Sequence, residues 1–221
     1  MNHLKGKRVL ITAGPTKEPL DPVRYITNHS SGKQGYAIAQ AFAAQDAEVV
    51  LISGEVTIDA PKNVQLIQVQ TADEMLNACV ASLPADIAIF AAAVCDWKPK
   101  NVHTEKMKKS TGQDSLVIEF EKNPDILQYI ATHKKRPTYI VGFAAETENH
   151  IENARIKLAN KQCDAIIVND VSLGTSTFGG DANHLQLILK DKSDIIELGS
   201  GSKASLADKL VMFINEHIFS Q

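Results

Sequence analysis

Cysteine is scarce in this chain of 221 residues. Cys79, Cys95 and Cys163 are odd in number, far apart and free of any Cys-x-x-Cys pairing, which argues against both a disulfide framework and a zinc cage. The longest apolar run, residues 87–95, is about half of what a bilayer span demands. The N-terminal Met1-Asn2-His3-Leu4-Lys5-Gly6-Lys7 lacks the apolar core of a secretory signal. Neither sign of charge dominates: the net charge is -3, so nothing marks a nucleic-acid or anionic-membrane footprint. A reducing, cytoplasmic setting is expected, with no nucleic acid or membrane as partner. Several catalytic signatures are missing as well. There is no Walker-type Gly-x-x-x-x-Gly-Lys-Ser/Thr, and no Gly-x-Gly-x-x-Gly directly after a strand. Ser53-Gly54-Glu55 stands where a dinucleotide fold would end its second strand on an acidic residue. No His-Glu-x-x-His, metal-ligand cluster or Ser-His-Asp order occurs, and the histidines are scattered. Positioning and charge stabilisation, rather than a protein nucleophile, are the expected means of catalysis.

What is present is an alternation of strand and helix patterns in a chain 44% hydrophobic and 22% charged. Strands are predicted over residues 9–12, 48–53, 86–94, 139–143 and 165–168, and helices over 34–44, 73–83, 148–161 and 203–219. Thr71-Ala72-Asp73-Glu74 reads as a capping box. Asn123-Pro124-Asp125 predicts a further helix with Asn123 at the N-cap and Pro124 at the first helical position. A short strand is expected over 116–120, and residues 184–189 and 194–198 read as an antiparallel pair joined by 190–193. The fold class is therefore α/β: a Rossmann-like, doubly wound, mostly parallel sheet flanked by helices, with a C-terminal antiparallel strand pair. No linker or repeat divides it, so residues 1–221 are expected to form a single domain. Residues 98–113 are polar and lysine-rich and read as a flexible lid loop; residues 170–181 read as a second mobile loop.

One stretch organises the rest. The apolar run Arg8-Val9-Leu10-Ile11 ends at Thr12-Ala13-Gly14-Pro15-Thr16, and Ser30-Ser31-Gly32-Lys33-Gln34-Gly35 opens the first helix. A helix opened by a small, hydroxyl-rich turn offers amide groups and a positive dipole end to a phosphate. The long connection between them carries Pro15, Asp21, Pro22, Arg24 and Asn28, and reads as a fixed loop over the same site. Ligands of open parallel sheets bind beyond the carboxyl ends of the strands. That rule brings Gly14, residues 92–96, Phe143-Ala144 and Asn169-Asp170 towards one mouth. Each element has a plain structural reading: a glycine-assisted helix start, Asp96 as a loop cap, Phe143 as core, and Lys106, Lys108, Lys109, Lys157 and Lys161 as solvated charge. A basic lid over a polyphosphate is the functional reading of the lysine-rich loop.

These motifs carry a resemblance. Residues 11–35, Ala91-Ala92-Ala93-Val94-Cys95-Asp96-Trp97, Glu105-Lys106-Met107-Lys108-Lys109, Lys122-Asn123-Pro124-Asp125-Ile126-Leu127, Val141-Gly142-Phe143-Ala144-Ala145-Glu146-Thr147 and Val168-Asn169-Asp170 resemble, in order, the phosphopantothenoylcysteine synthetases. The resemblance implies a ligase of coenzyme A synthesis using CTP, 4′-phosphopantothenate, L-cysteine and Mg2+. It implies a homodimer, in many bacteria fused behind a flavin-dependent decarboxylase. Asn28, Arg24 and Lys106 are implied as catalytic, and Arg24, Asn28 and Ala92 as substrate-binding. Nucleotide contacts are implied for Gly14, Ser30, Ser31, Gly32, Phe90, Ala91, Ala92, Asp96, Lys106, Pro124, Asp125, Ile126, Leu127, Phe143, Lys157 and Lys161. The metal ligands stay unassigned. A nicotinamide-dependent reductase on the same fold would want a short glycine turn and a Tyr/Lys pair, and neither is found. A non-catalytic nucleotide-binding module is the third reading.

Overall fold

The computed structural model of the protein describes residues 1–108, 114–146, 148–170 and 180–219. Lys109 and the rest of the predicted lid to 113, Thr147, and the 171–179 part of the second loop lie outside the described residues.

In chain order, β1 (Arg8–Ala13) leads through a hairpin of β2 (Lys17–Asp21) and β3 (Arg24–Thr27) into α1 (Lys33–Ala43). Then come β4 (Glu48–Ser53), β5 (Val64–Gln68), α2 (Ala72–Ala81), β6 (Ile87–Phe90), β7 (Trp97–Pro99), β8 (Phe120–Lys122) and α3 (Ile126–Ala131). The last elements are β9 (Tyr139–Glu146), α4 (His150–Lys161), β10 (Ala165–Asp170), β11 (Ala182–Leu189), β12 (Ile195–Ser202) and α5 (Lys203–His217). Eight strands form one sheet in the order β12-β11-β10-β9-β6-β1-β4-β5. From β5 to β10 every pairing is parallel, and β11 and β12 add an antiparallel edge. Numbered along the chain, the parallel part has the doubly wound order, and its direction of winding reverses between β1 and β6.

Alternation along β1 sorts the core. Val9, Ile11 and Ala13 face Tyr36, Ile38 and Phe42 of α1 and Leu206, Leu210 and Ile214 of α5. Leu10 faces the other layer, built on Met75 and Cys79 of α2, Ile126 and Ile130 of α3, and Ala154 and Leu158 of α4. Both faces of the central strands are thus covered, which is why they read as unbroken apolar runs. Full burial of one such aliphatic side chain contributes about 1.5–3 kcal/mol.

Several sequence expectations need correction. The third strand stops at Phe90 rather than 94: its pairing with β9 ends at Phe90 opposite Gly142, and beyond it Ala91 and Ala93 bond only on the β1 side, to Thr12 and Gly14. The α3 cap is Asp125, whose carboxylate accepts the Gln128 N–H at 3.1 Å. Asn123 instead donates its side-chain amide to the Cys95 carbonyl at 2.9 Å. The long β1–α1 connection is a paired hairpin, and β5 is an edge strand absent from the sequence reading. The predicted lid begins inside β7, which pairs with β8, so the strand expected over 116–120 is displaced to Phe120–Lys122. The capping box at Thr71 and Glu74 is present in full. Buried Glu18 of the hairpin adds a bond of 3.0 Å from the Ala72 N–H, fastening the hairpin to the positive end of α2.

Candidate active site

The winding reversal leaves a gap beyond β1 and β6, and the backbone on each side of it is fixed by the other. Ala91 N–H donates to the Thr12 carbonyl (3.2 Å), Ala92 N–H to the Thr12 hydroxyl (3.3 Å), Ala93 N–H to Gly14 (2.9 Å) and Cys95 N–H to the Thr16 hydroxyl (2.9 Å). Opposite this ladder stands the start of α1. Gly32 is its N-cap at φ 71°, a left-handed conformation that glycine adopts without strain, and no side chain caps the helix. Gly35 lets the helix lie on β1: a Cβ there would come within 2.5 Å of the Ala13 Cβ.

Two cavities meet at this point. The first, of about 140 Å3, is walled by residues 30–35, Ala91, Ala92, Ala93, Phe143, Ala145, Asn169, Asn183 and Lys203. The second, of about 740 Å3, falls within the usual range for a small-molecule cleft. Phe90, Ala92, Asp96, Pro124, Asp125, Ile126, Leu127, Phe143, Lys157 and Lys161 line it, joined by Thr12, Cys95, Trp97 and Asn123. Ala92 and Phe143 belong to both walls. Residues far apart in the sequence are therefore gathered into one bipartite groove, its small part at a helix mouth and its large part between β6, α3 and α4. In the large part Lys161 pairs with Asp125, so the carboxylate that caps α3 also holds a cation.

Asn28 lines neither cavity but hangs over their junction. Its side-chain nitrogen donates to the Val94 carbonyl at 3.0 Å and to the Ala93 carbonyl at 3.3 Å. Ala93 borders the small cavity and Val94 the large one.

Other expected site residues are placed elsewhere. Gly14 lies behind Gly32, where its own Cβ would approach the Gly54 carbonyl oxygen to 2.9 Å; it supports the helix start and faces neither cavity. Arg24 forks onto buried Asp21 through Nε (2.9 Å) and Nη2 (2.5 Å), and Nη2 also donates to the Met107 carbonyl at 2.8 Å. Asp21 further accepts the Val23, Arg24 and Met107 N–H groups. The Arg24 guanidinium and those amides hold its carboxyl well below the usual carboxylate range. Lys106 precedes this clamp, is exposed, and lines neither cavity. The sequence reading missed Asn183 and Lys203 in the small cavity and Asn123 in the large one. Asn183 and Lys203 sit at the ends of the C-terminal strand pair, and only the sheet brings them round to α1. Among the described residues no group of three or more His, Cys, Asp or Glu side chains is placed to hold a metal ion. None of their helices is long and apolar enough to cross a membrane.

A doubly wound sheet with a cavity at its switch point defines the class of open α/β proteins whose ligands bind beyond the carboxyl ends of the strands. More specifically, residues 4–218 match the family described as DNA/pantothenate metabolism flavoprotein C-terminal domain, and the chain belongs to that family. It is 45% identical over 216 residues to the coenzyme A biosynthesis bifunctional protein CoaBC of Vibrio cholerae, covering 97% of this chain and 54% of that protein. The CoaBC of Escherichia coli K12 is 48% identical over 90% of this chain and 49% of its own length. The chain thus spans about half the length of the curated relatives it matches. A crystal structure of the C-terminal domain of CoaBC superposes with a TM-score of 0.83 at 38% identity, over 100% of both chains. A pantothenate-metabolism flavoprotein from Streptococcus pneumoniae shares the fold at a TM-score of 0.79 and 22% identity.

Proposed function

We propose that this protein is a phosphopantothenate–cysteine ligase, activating 4′-phosphopantothenate with CTP and joining it to L-cysteine. The observation that carries this reading is the position of Asn28, fastened to the two carbonyls where a helix-mouth cavity and a nucleoside-sized cleft adjoin. Membership of a family whose relatives are coenzyme A biosynthesis proteins supports it.

In this reading the nucleoside occupies the large cleft, beside Asp96 and Phe143, with Lys157 and Lys161 on one face of α4. Its phosphates pass Ala92 to the amides of Ser30, Ser31 and Gly32, where the helix dipole and donors favour an anion. The carboxylate of phosphopantothenate attacks the α-phosphorus, and the bond to the β-phosphate breaks, releasing pyrophosphate and leaving an acyl-cytidylate. The cysteine amine then adds to the acyl carbonyl and CMP departs, forming the amide. At this step the Asn28 nitrogen gives up one of its two carbonyl acceptors and donates to the oxygen that becomes negative. Arg24 and Lys106 belong to the lid side, where Asp21 and Met107 clamp the segment that carries Lys106. Mg2+ is expected with CTP, and the lysines and amides of the two cavities share in neutralising the triphosphate.

The enzyme acts in the cytoplasm as a homodimer. Exposed Val23, Tyr25, Trp97, Leu116, Val117 and Phe120 on and beside the two small hairpins support that association. A flavin-dependent decarboxylase, fused or separate, is its functional companion.

The test is to incubate the protein with CTP, Mg2+, phosphopantothenate and cysteine and to follow pyrophosphate and the amide product. Pyrophosphate release that requires phosphopantothenate is expected. No release with any nucleoside triphosphate would remove the reading.

A further inference from the structure

Four consecutive carbonyls beside the two cavities are held by two asparagines. Asn28 donates its side-chain nitrogen to those of Ala93 and Val94, at 3.3 and 3.0 Å. Asn123 takes the next two: its side-chain nitrogen donates to the Cys95 carbonyl at 2.9 Å, and its backbone N–H to the Asp96 carbonyl at 2.9 Å. Local pairing explains the second grip. Trp97 lies opposite Lys122 where β7 and β8 run antiparallel, so Asp96 and Asn123 are the next residues out along the same ladder. Pro124 then ends the ladder, having no N–H, and biases Asn123 before it towards extended backbone.

The segment 93–96 is divided near its middle. The Cys95 N–H donates to the hydroxyl of fully buried Thr16 at 2.9 Å, which pins the chain between the half that Asn28 holds and the half that Asn123 holds. Asp96 is in the second half and lines the large cavity together with Cys95 and Asn123. The Asn123 amide has one way to face Cys95, because its nitrogen alone can donate. Its Oδ1 is turned away from that bond, buried, and meets no donor among the described residues. A buried acceptor left unpaired costs stability, and local rules of this kind are broken at functional sites. The side chain thus holds the Cys95 carbonyl while its own oxygen goes unpaired.

We propose that Asn123 is a positioning residue for the nucleotide, setting the Cys95–Asp96 backbone so that Asp96 faces the nucleoside. The assignment deepens the ligase reading and rests on it for the identity of the ligand. Asn123 acts through Asp96 and makes no bond to the reacting atoms. Without its side chain the Cys95 carbonyl is released, and Asp96 samples positions of which only some meet the nucleoside. Thr16 confines that disturbance to the nucleotide half, so the half under Asn28 keeps its place.

Calorimetric titration of CMP tests this. Wild type, Asn123→Ala, Asp96→Ala and the double variant are compared at a temperature where all are folded, with Asn123→Ser in place of Asn123→Ala should that chain not fold. The expected result is CMP affinity weakened about tenfold in Asn123→Ala, the effect of one lost hydrogen bond. In the Asp96→Ala background the same substitution should add less than about twofold, because residues that act as a unit are not additive. In turnover the KM of CTP should rise in step, while the KM of cysteine and the ratio of pyrophosphate to amide stay within about twofold. Unchanged CMP affinity, a further loss of about tenfold in the Asp96→Ala background, or an equal rise in the KM of cysteine would each overturn the assignment. Binding of CMP needs no catalysis, which keeps the two ideas apart. Weakened binding that depends on Asp96 supports the role of Asn123 even if the wild type makes no amide, and equal binding overturns it even if the wild type is an active ligase.

Discussion

The side-chain nitrogen of Asn28 lies 3.0 Å from the carbonyl oxygen of Val94, and the same amide reaches Ala93 at 3.3 Å. The two acceptors fix which end of the amide points down, because only the nitrogen can donate. The amide oxygen is left for other company, and the nitrogen is held at the junction of the two cavities. A carboxylate in its place would face two carbonyl oxygens with nothing to donate. In Asn28→Asp, amide formation should fall about 100-fold or more, the cost of one oxyanion donor, while pyrophosphate release is better preserved. Rapid-quench separation of the acyl-cytidylate from the product checks this; equal loss of both half-reactions would take Asn28 out of the second step.

Asp21 gives a pH prediction. Its carboxyl titrates below the usual range because Arg24 and backbone amides favour the ionised form. A depressed folded-state value means the contribution to stability is complete at neutral pH, persists above the unfolded value of about 3.9, and is lost as the solution is acidified through the lower folded value. Denaturation midpoints of the wild type should therefore decline from about pH 4 downward. Asp21→Asn should be less stable at neutral pH and lack this part of the acid limb. It should also expose the Met107 segment, which is held by the same carboxylate, to amide exchange. An identical acid limb in the variant would show that the clamp contributes nothing.

Phe143, with Ala92, is common to both cavity walls and packs, half-buried, against the α1–α5 face of the core. Phe143→Ala should lose less stability than the about 3–5 kcal/mol of a fully buried phenylalanine. The KM for the nucleotide should rise about tenfold, since a wall aromatic supplies contact area to a base or phosphate chain. Comparing the KM of CTP with that of cysteine separates loss of the wall from loss of the fold, because only the first singles out the nucleotide.

Gly35 makes a mechanical prediction. An added methyl would stand 2.5 Å from the Ala13 Cβ and 3.3 Å from the Thr12 carbonyl oxygen, and neither of those groups can rotate away. Gly35→Ala should cost about 1–3 kcal/mol in denaturant unfolding and move the α1 start off β1. Nucleotide affinity should drop with it. Full stability and affinity in the variant would mean that the helix–strand contact is softer than its geometry implies.

The cysteines should be silent. Burial pushes the Cys79 thiol up to about 12 and the Cys163 thiol to about 11, and Cys95 is raised by the same cause. The thiolate is the reactive form, so at pH 8 a thiol reagent should find none of the three free cysteines in the folded protein and all of them after unfolding. Rapid modification of the native protein at Cys79 or Cys163 would contradict their burial.

Long, fully buried strands and strongly periodic helices were legible because burial writes itself into residue spacing. Arg8–Ala13 and Glu48–Ser53 are apolar on both faces, and Lys203–His217 repeats its buried positions at helical intervals. The capping box at Thr71 was legible for another reason: both of its bonds are local. The hairpin of β2 and β3 was not. Arg24–Thr27 is mostly exposed, and Pro19 and Pro22 flank a turn set by the Asp21 carboxylate, so no periodic signal survives. Val64–Gln68 is an edge strand with mixed burial, which blurs its alternation. The cap of α3 slipped to Asp125 because the Asn123 side chain was taken by the distant Cys95 carbonyl.

Composition and local pattern were enough to set the α/β class, the phosphate-suited helix start and the motifs that carry the family likeness, because each depends on neighbours in the chain. Tertiary structure alone decided that Ala92 and Phe143 join two cavities, that Arg24 is clamped to Asp21 rather than facing a cleft, and that Lys203 comes to stand beside Lys33. Those relations depend on strand order and on charges buried across great sequence distance. Side-chain spacing along a single chain carries no record of which strand will lie next to which.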